Sequence, residues 1–455
     1  MPSLWLSELM QHLPARLVGQ DAEFRSVSTD TRSLNAGDLY VALTGPRFDG
    51  HEFVAQAEQR GALAVLVSRE VETRLPQLVC ADTRLGLGRL AAVWRDQFQA
   101  PMVAITGSNG KTTVKELISE ILAQRGPVLS TRGNLNNDIG VPLTLLGWQD
   151  ELSAVIEMGA NHPGEIGYLS QIARPDVALI TNAGEAHLEG FGDLNGVAHA
   201  KGEILGGLKH DGVGVLNADD PYFPLWREML GERRMVSFGI SEKALVQSDL
   251  DAAQMTWTPQ GSHNRMQVNI QDTRFDVEIA LAGRHNLMNA LAAIAAAWSL
   301  SCSVEQIQAG LASVAAVKGR LQILTGSNGY RLIDDSYNAN PNSVGAAIEV
   351  LRSAPGQRYL VLGDLAELGE EARELHGKIG RQARQAGLEH LYGLGSLSQA
   401  AVEGFGEGAR GFSNIDDLIN ELRELPQPGD AVLVKGSRSA GMERVVQGLL
   451  YEGEG

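Results

Sequence analysis

Apolar residues in this chain come in short unbroken runs, separated by longer stretches where they recur every third or fourth position. The first pattern predicts strands buried on both faces, and the second predicts amphipathic helices. Residues 1–84 alternate short strands and turns, then show a helix at HEFVAQAEQRG and a strand at ALAVLVS, which predicts a small α/β domain. A helix over about 85–98 leads into a central unit, residues 85–314, whose first strand is Pro101 to Thr106. SAVIEMG, DVALITNAG and VGVLNADD predict further strands of a mostly parallel sheet, with ligands expected at their carboxyl ends. From Arg234 to Leu281 the pattern changes to alternating segments such as MTWTPQGSHNRMQVNI, which predict antiparallel strands added to the side of that unit. Helices over Asn286–Leu300 and SVEQIQAGLASV close it. Residues 315–455 read as a third, Rossmann-like α/β unit with strands at YRLIDDSY, RYLVLGDL, LEHLYGLG and DAVLVKGS, and a helix near EEARELHGKIGRQARQA. The expected fold class is therefore α/β, in three domains.

Composition narrows the function. Apolar residues make up 44% and charged residues 20%, as in a folded soluble protein. The net charge of −17 argues against a general nucleic-acid or anionic-membrane binder, because either would need a basic field. A small polyanion is still acceptable, held by a few local cations and helix N-termini. Cys80 and Cys302 form no ligand pattern and read as buried thiols of a reducing cytosol. MPSLWLSELMQHL lacks the basic and long apolar regions of a signal peptide. The apolar helix NLMNALAAIAAAWSL is too short and alanine-rich to span a bilayer, so it is expected to be buried.

The stretch VAITGSNGKTTVKELI runs from a strand through a glycine turn into a helix. The usual Walker spacing would require glycine at 105, where this chain has Ile105. What is left is Gly107, Ser108, Asn109, Gly110, Lys111, Thr112 and Thr113. Backbone N–H groups of such a turn can cradle phosphates, Lys111 can neutralise them, and the Thr112 hydroxyl can hold Mg²⁺. Context carries this reading: TGSNG recurs at 325–329 with Tyr330 in the lysine's place and a strand following, which predicts a hairpin turn. The next strand end places Glu157 where a Mg²⁺ ligand usually stands, and the following one brings His187 and Glu189 to the same sheet edge. Lys201 follows in AHAKGEIL. As an ammonium it would repel the metal, so it either contacts phosphate or is converted by CO₂ to a carbamate. The residues alone leave ATPase, kinase, GTPase and ligase open.

Taken together the stretches resemble the Mur ligase family, the ATP-dependent amide-forming enzymes of cell-wall precursor synthesis. The resemblance rests on TGSNGKT, GNLNNDIGVP, EMGANHPGEI, NAGEAHLEGFG, AKGEI, GRHNLMNALAA, KGR, DDSYNANPNS, LGDLAELG and KGSRSAGME, and it covers essentially the whole chain. In this family the shortened loop replaces the ordinary Walker sequence. The resemblance implies a UDP-sugar domain at 1–84, an ATP-binding P-loop domain at 85–314 and a domain for the incoming amine at 315–455. DDSYNANP with GDLAELG and KGSR is the form of the member acting last in the series. That member joins D-alanyl-D-alanine to UDP-N-acetylmuramoyl-tripeptide through an acyl phosphate.

By the same resemblance, Thr112, Glu157 and His187 would ligate Mg²⁺, with Lys201 as the lysine that relatives carry as a carbamate. His285 and Asn286 would lie near adenine, Arg320 near the γ-phosphate and Asp335 on the ribose side. Ser28, Thr31, Arg32, Gly45, Asp49, Gly50, His51 and Phe53 would receive the UDP sugar. Asn134, Asn136 and Asn137 would face substrate, and Asn338, Asn340, Lys435 and Arg438 would hold the peptide end and the incoming dipeptide. The implied cofactors are ATP and Mg²⁺, and the implied partners are small molecules, met by a cytoplasmic monomer with no nucleic acid and no membrane insertion. No residue stands out as the base for the incoming ammonium. The rival readings are another Mur-type or a folylpolyglutamate-type ligase, which the N-terminal segment and DDSYNANP oppose, and a non-catalytic nucleotide-binding protein.

Overall fold

The computed structural model describes residues 3–184, 188–258 and 261–450. They form three α/β units, each built on its own main sheet. In the first, five strands lie in the order Ala15–Val18, Gln77–Cys80, Ala64–Val67, Leu39–Val41 and Val27–Ser28. All neighbours are parallel except the outer pair of Ala15–Val18 with Gln77–Cys80. HEFVAQAEQRG begins as one 3₁₀ turn, Gly50–Phe53, before the α-helix Val54–Gln59.

The central unit is entered by helix α1 (Thr83–Arg95), whose first turn is capped by Asp82 accepting from the N–H groups of Arg84 and Leu85. Its sheet contains β1 (Met102–Thr106), followed by helix α2 (Lys111–Ala123), β2 (Val128–Ser130), β3 (Ser153–Glu157), β4 (Val177–Ile180) and β5 (Val213–Asn217). Then come β6 (Arg234–Gly239), β7 (Val246–Gln247), β8 (Gln254–Thr258), β9 (Gly261–Ile270) and β10 (Thr273–Ile279). Spatially the order is β2-β3-β1-β4-β5-β6-β7-β9-β8, with β10 also pairing β9, along Asn264–Ile270. Chain direction across the sheet reverses between β1 and β4, so the loops leaving these two strands open a crevice at their carboxyl ends.

The antiparallel addition starts later than the sequence pattern suggests. β6 and β7 continue the parallel part, and only β9 turns antiparallel. Residues Val236–Gly239 are buried without alternation, which marks a strand covered on both faces, whereas β9 alternates buried and exposed positions. Helix α3 (Arg284–Ser299) lies in the core, with Ala290 to Ala297 all buried, as its composition predicts.

The third sheet holds β11 (Gln322–Thr325), β12 (Arg331–Asp335), β13 (Arg358–Gly363), β14 (His390–Leu394), β15 (Ala409–Phe412) and β16 (Ala431–Lys435), in the order β11-β12-β16-β13-β14-β15. Only β11 is antiparallel, and the second TGSNG copy is the turn of its hairpin with β12. Between β12 and β13 runs helix α4 (Pro341–Arg352), capped by Asn340 with Pro341 in its first turn.

α1 crosses the boundary expected at residue 84. One continuous core joins the first sheet (Leu39, Leu66, Leu78) to the near face of the central one (Met102, Ala104, Ile156) through Leu87, Leu90 and Trp94 of α1. The Trp94 indole N–H donates to the Trp148 carbonyl at 3.2 Å, and Trp148 is itself stacked on Phe98 and covered by Arg95. Cys80 and Cys302 are buried free thiols, as expected. Trp94→Ala should therefore lower unfolding free energy by about 3–5 kcal/mol, read as a fall in the urea midpoint with the m-value unchanged.

Candidate active site

The loop after β1 is shaped by close approach. Gly107 has φ +145, and a Cβ there would collide with the Thr181 hydroxyl at the end of β4. Gly110, at φ +83, starts α2 and leaves room for the Asn289 carboxamide. Strand-end groups then pin the loop from the side. Ser108 N–H donates to the Asn182 carbonyl and Asn109 N–H to Asn182 Oδ1, both at 3.0 Å, while the Thr181 hydroxyl donates to the Asn109 carbonyl at 2.6 Å. The loop thus presents the first-turn N–H groups of α2 to the crevice, an arrangement suited to phosphate.

Lys111 lies over this loop, its Nζ donating to the Gly107 carbonyl at 2.6 Å and to that of Ser108 at 3.2 Å. Burial pulls its pKa down, and the nearby Glu157 opposes that shift. The next residue, Thr112, donates its hydroxyl to Glu157 Oε2 at 2.8 Å, and Asn136 Nδ2 donates to Glu157 Oε1 at 2.8 Å. Lys115, buried and paired with Glu116, donates to the Thr131 carbonyl, and the Thr131 hydroxyl receives the Glu157 N–H. Glu157 is therefore buried and oriented from three sides. Its oxygens and the Thr112 hydroxyl form the hard, oxygen-only donor set that suits Mg²⁺. Among the described residues no three His, Cys, Asp or Glu side chains cluster as a complete metal site, and His187 lies outside the described residues.

Lys201 is buried, with its ammonium over the Phe191 ring at 5.2 Å. Burial, and secondarily the charge of Lys111, bring its pKa down to about 7.

From the other side, β12 and β16 bring Asp335 and Lys435 into a buried ion pair at 2.6 Å, and Lys435 also donates to the Asn338 carbonyl at 3.0 Å. Burial pushes the Asp335 carboxyl up, and Lys435 resists that shift. Arg320 lies over one part of the Tyr337 ring at 4.5 Å and Arg438 at 5.5 Å, while Arg438 N–H donates to Asn338 Oδ1. Burial, with help from Lys435, lowers the His285 imidazole to about 4. Asn286 donates to the Ala282 carbonyl and accepts from Asn289.

These groups line one cavity of about 1070 Å³. It unites Ser108 to Thr113, Asn134, Asn136, Asn137, Glu157, Lys201, His285, Asn286, Arg320, Asp335, Asn338, Asn340, Lys435 and Arg438, all expected from the sequence. Gly107 shapes the loop without lining the cavity.

Several of the expected residues line the cavity and are also bonded to other protein groups. Asn136, expected to face substrate, spends its amide N–H on Glu157. Asp335 and Lys435, expected on opposite ligands, hold each other. Tyr337, Asn182, Thr181 and Asn289 were not singled out. Asn289 was legible as the residue one turn beyond Asn286 on the same helix face, but the others depend on loop contacts that no spacing reveals.

The eight N-terminal candidates do not line this cavity. His51, expected to touch substrate, has both ring nitrogens engaged. Nδ1 meets Asp49 Oδ1 at 2.6 Å, and Nε2 accepts from the Ser68 N–H at 2.9 Å. It acts by orienting Asp49, whose carboxyl is held far below the usual range by Arg69 first and His51 next. Thr31 is likewise spent on Gln56 and Ser28 on the Asp30 carbonyl, while Arg32 projects into solvent beside Asp30. Gly45 leaves room for the Phe48 ring, and a Cβ on Gly50 would stand 2.6 Å from the Leu43 carbonyl oxygen. Phe48 and Phe53 are exposed there as apolar surfaces.

Comparison with known proteins matches three family descriptions in register: "Mur ligase family, catalytic domain" over residues 23–128, "Mur ligase middle domain" over 105–297, and "Mur ligase, glutamate ligase domain" over 319–438. The chain is 46% identical to the UDP-N-acetylmuramoyl-tripeptide–D-alanyl-D-alanine ligase of Escherichia coli (strain K12), over 100% of both chains. A crystal structure of MurF from Acinetobacter baumannii superposes with a TM-score of 0.90 at 37% identity, covering 98% of each chain. The MurF ligase of Thermotoga maritima in complex with ADP superposes at 0.83 with 30% identity, covering 93% of this chain and 96% of that one.

The buried lysine carries a pH signature. A lysine whose folded pKa is depressed binds fewer protons folded than unfolded between that pKa and its ordinary value, so stability rises with pH across the window. In CO₂-free buffer the wild-type protein should gain stability relative to Lys201→Met from about pH 7 upward, measured by urea unfolding at stepped pH. Parallel pH curves for the two proteins would contradict the placement of Lys201.

Proposed function

The chain belongs to the Mur ligase family, and from that premise we propose that it joins D-alanyl-D-alanine to UDP-N-acetylmuramoyl-tripeptide. It is an ATP-dependent ligase of peptidoglycan precursor synthesis, and its products are the UDP-pentapeptide, ADP and phosphate. The observation that carries the reading is the single cavity uniting the phosphate loop with the Asn338–Asn340 and Lys435–Arg438 segments, in a chain that such ligases match from end to end.

The tripeptide's terminal carboxylate attacks the γ-phosphorus of ATP, and the bond to the β-γ bridging oxygen breaks to release ADP. An anion attacking a polyanion meets strong repulsion. Lys111, Arg320 and the N-terminus of α2 offset the charge that grows on the transferring group. The amine of D-alanyl-D-alanine, having lost its ammonium proton, then attacks the acyl carbon, and phosphate leaves as the amide forms. Thr112 and Glu157 would hold Mg²⁺, which supplies charge neutralisation at the phosphates when bound. Glu157 is suited to this because Asn136 and Thr131 orient it from behind.

Lys201 enters as its carbamate. A pKa of about 7 leaves a substantial neutral fraction near neutrality, and the neutral amine is the form that adds to CO₂ with loss of a proton. The N-terminal group around Asp49, Phe48 and Phe53 receives the UDP moiety, so the substrate spans from that domain to the cavity. On this reading the protein works as a monomer on small-molecule substrates in the cytoplasm; no helix among the described residues is long and apolar enough to cross a membrane.

Phosphate release from ATP, with UDP-N-acetylmuramoyl-tripeptide present, should be stimulated by D-alanyl-D-alanine well beyond D-alanine, D-glutamate or diaminopimelate. Equal stimulation by all four amines would refute the assignment. Lys111→Ala should lower kcat by roughly 100-fold or more, measured in the same assay. ¹³C NMR of the protein in ¹³CO₂-bicarbonate should show a carbamate resonance that Lys201→Met lacks.

A further inference from the structure

Two side chains of the phosphate-loop turn bond to protein: Ser108, whose hydroxyl exchanges hydrogen bonds with the Gly184 backbone, and Asn109, which reaches another domain. The Asn109 backbone is spent on the neighbouring strand end, the N–H on Asn182 Oδ1 and the carbonyl on Thr181 and Asn182. Its side chain turns away towards the third domain, where Asn109 Oδ1 accepts from Asn340 Nδ2 at 2.8 Å, across 231 residues of sequence.

Asn340 is equally committed. Its Oδ1 accepts the Ser343 N–H at 2.8 Å and its own N–H donates to the Ser343 hydroxyl at 3.0 Å, a capping box that starts α4. Because Oδ1 must accept from the helix, the amide orientation is settled and Nδ2 faces Asn109. Close packing accompanies the bond. A Cβ on Gly184, in the loop after β4, would stand 3.1 Å from Asn342 Nδ2 in the first turn of α4. One side chain thus terminates a helix of the third domain and grips the phosphate loop of the second. Asn340, which the family resemblance places near the peptide end, lines the cavity as well as making these bonds.

We propose that the Asn109–Asn340 pair is a positioning device coupling the phosphate loop to the third domain, so that the segment facing the incoming amine is set by the conformation of the loop that holds ATP. This rests on the ligase reading given above. Both asparagines line the cavity, and the role proposed for them is to hold each other. Their bond transmits loop geometry to α4 and, through the adjoining Asn338 to Asn340 segment, to Arg438 and Lys435.

The test is a double-mutant cycle with Asn340→Ser and Asn109→Ala. Serine is as good a helix cap as asparagine but too short to reach the loop, so thermal stability should be nearly unchanged. Each single variant should lower kcat/KM for D-alanyl-D-alanine by roughly five- to ten-fold, the worth of one neutral hydrogen bond. The double variant should be no worse than the weaker single, because the second change removes a partner already lost. Losses that multiply, or singles within two-fold of wild type, would overturn the coupling. Hydrogen exchange gives a second readout that does not depend on Asn340→Ser folding. A non-hydrolysable ATP analogue should slow exchange at the start of α4 in the wild-type protein but not in Asn109→Ala, and equal slowing in both would overturn the proposal. Wild-type phosphate release with tripeptide and dipeptide is the separate control. Its absence would sink the ligase reading itself, whereas normal release with a multiplicative cycle would sink only the coupling.

Discussion

The contact on which the rest depends is the one between the Gly107–Asn109 turn and the end of β4. This loop lacks the first glycine of the ordinary phosphate-binding spacing, because position 105 is a buried strand residue, Ile105. The loop's conformation is held from outside by the Thr181 hydroxyl and the Asn182 carboxamide. Because α2 begins directly after it, the same contact fixes where Lys111 and Thr112 point. Thr112 in turn meets Glu157 at the end of β3. Three parallel strands in adjacent register, β3-β1-β4, therefore assemble the phosphate site from their carboxyl ends, and a slip of one strand would disperse it.

The three domains are joined by two kinds of contact. The first and second share a continuous apolar core built around Trp94 and Trp148, so they should behave as one body. The third faces the phosphate loop across a cavity of mixed polar and apolar lining, bridged by hydrogen bonds such as Asn109–Asn340. Its other contacts with the central unit include Ala282, Met255 and Trp257, the last lying under Arg331. A polar junction can exchange its bonds with water or ligand at low cost, which suits an enzyme that must admit two substrates and then exclude water from an acyl phosphate.

Most of the fold was legible because strands and helices leave strong local signatures. The runs at Met102–Thr106 and Ser153–Glu157, the alanine-rich α3 and the hairpin at the second TGSNG copy all fell where the pattern put them. The parallel pairing of β6 and β7 was not legible, since strand direction depends on what covers each face. Within the site, motif residues were legible as a set but their individual duties were not. The family pattern points to His51, Asn136, Asp335 and Lys435 as ligand contacts. Each spends polar atoms on another protein group that it holds in place.

The sequence by itself determined the class of chemistry: a glycine turn running into a helix with lysine and threonine at its mouth, acids at the following strand ends, and a family pattern along the whole chain. These are local arrangements, dictated by backbone sterics and side-chain type within a few residues. Tertiary structure alone decided the partnerships, such as Lys435 with Asp335 across 100 residues and Asn340 with Asn109 across 231. A hydrogen bond needs its atoms within about 3 Å. Strand pairing within the third sheet brings Lys435 to Asp335, and the packing of the third domain against the phosphate loop brings Asn340 to Asn109.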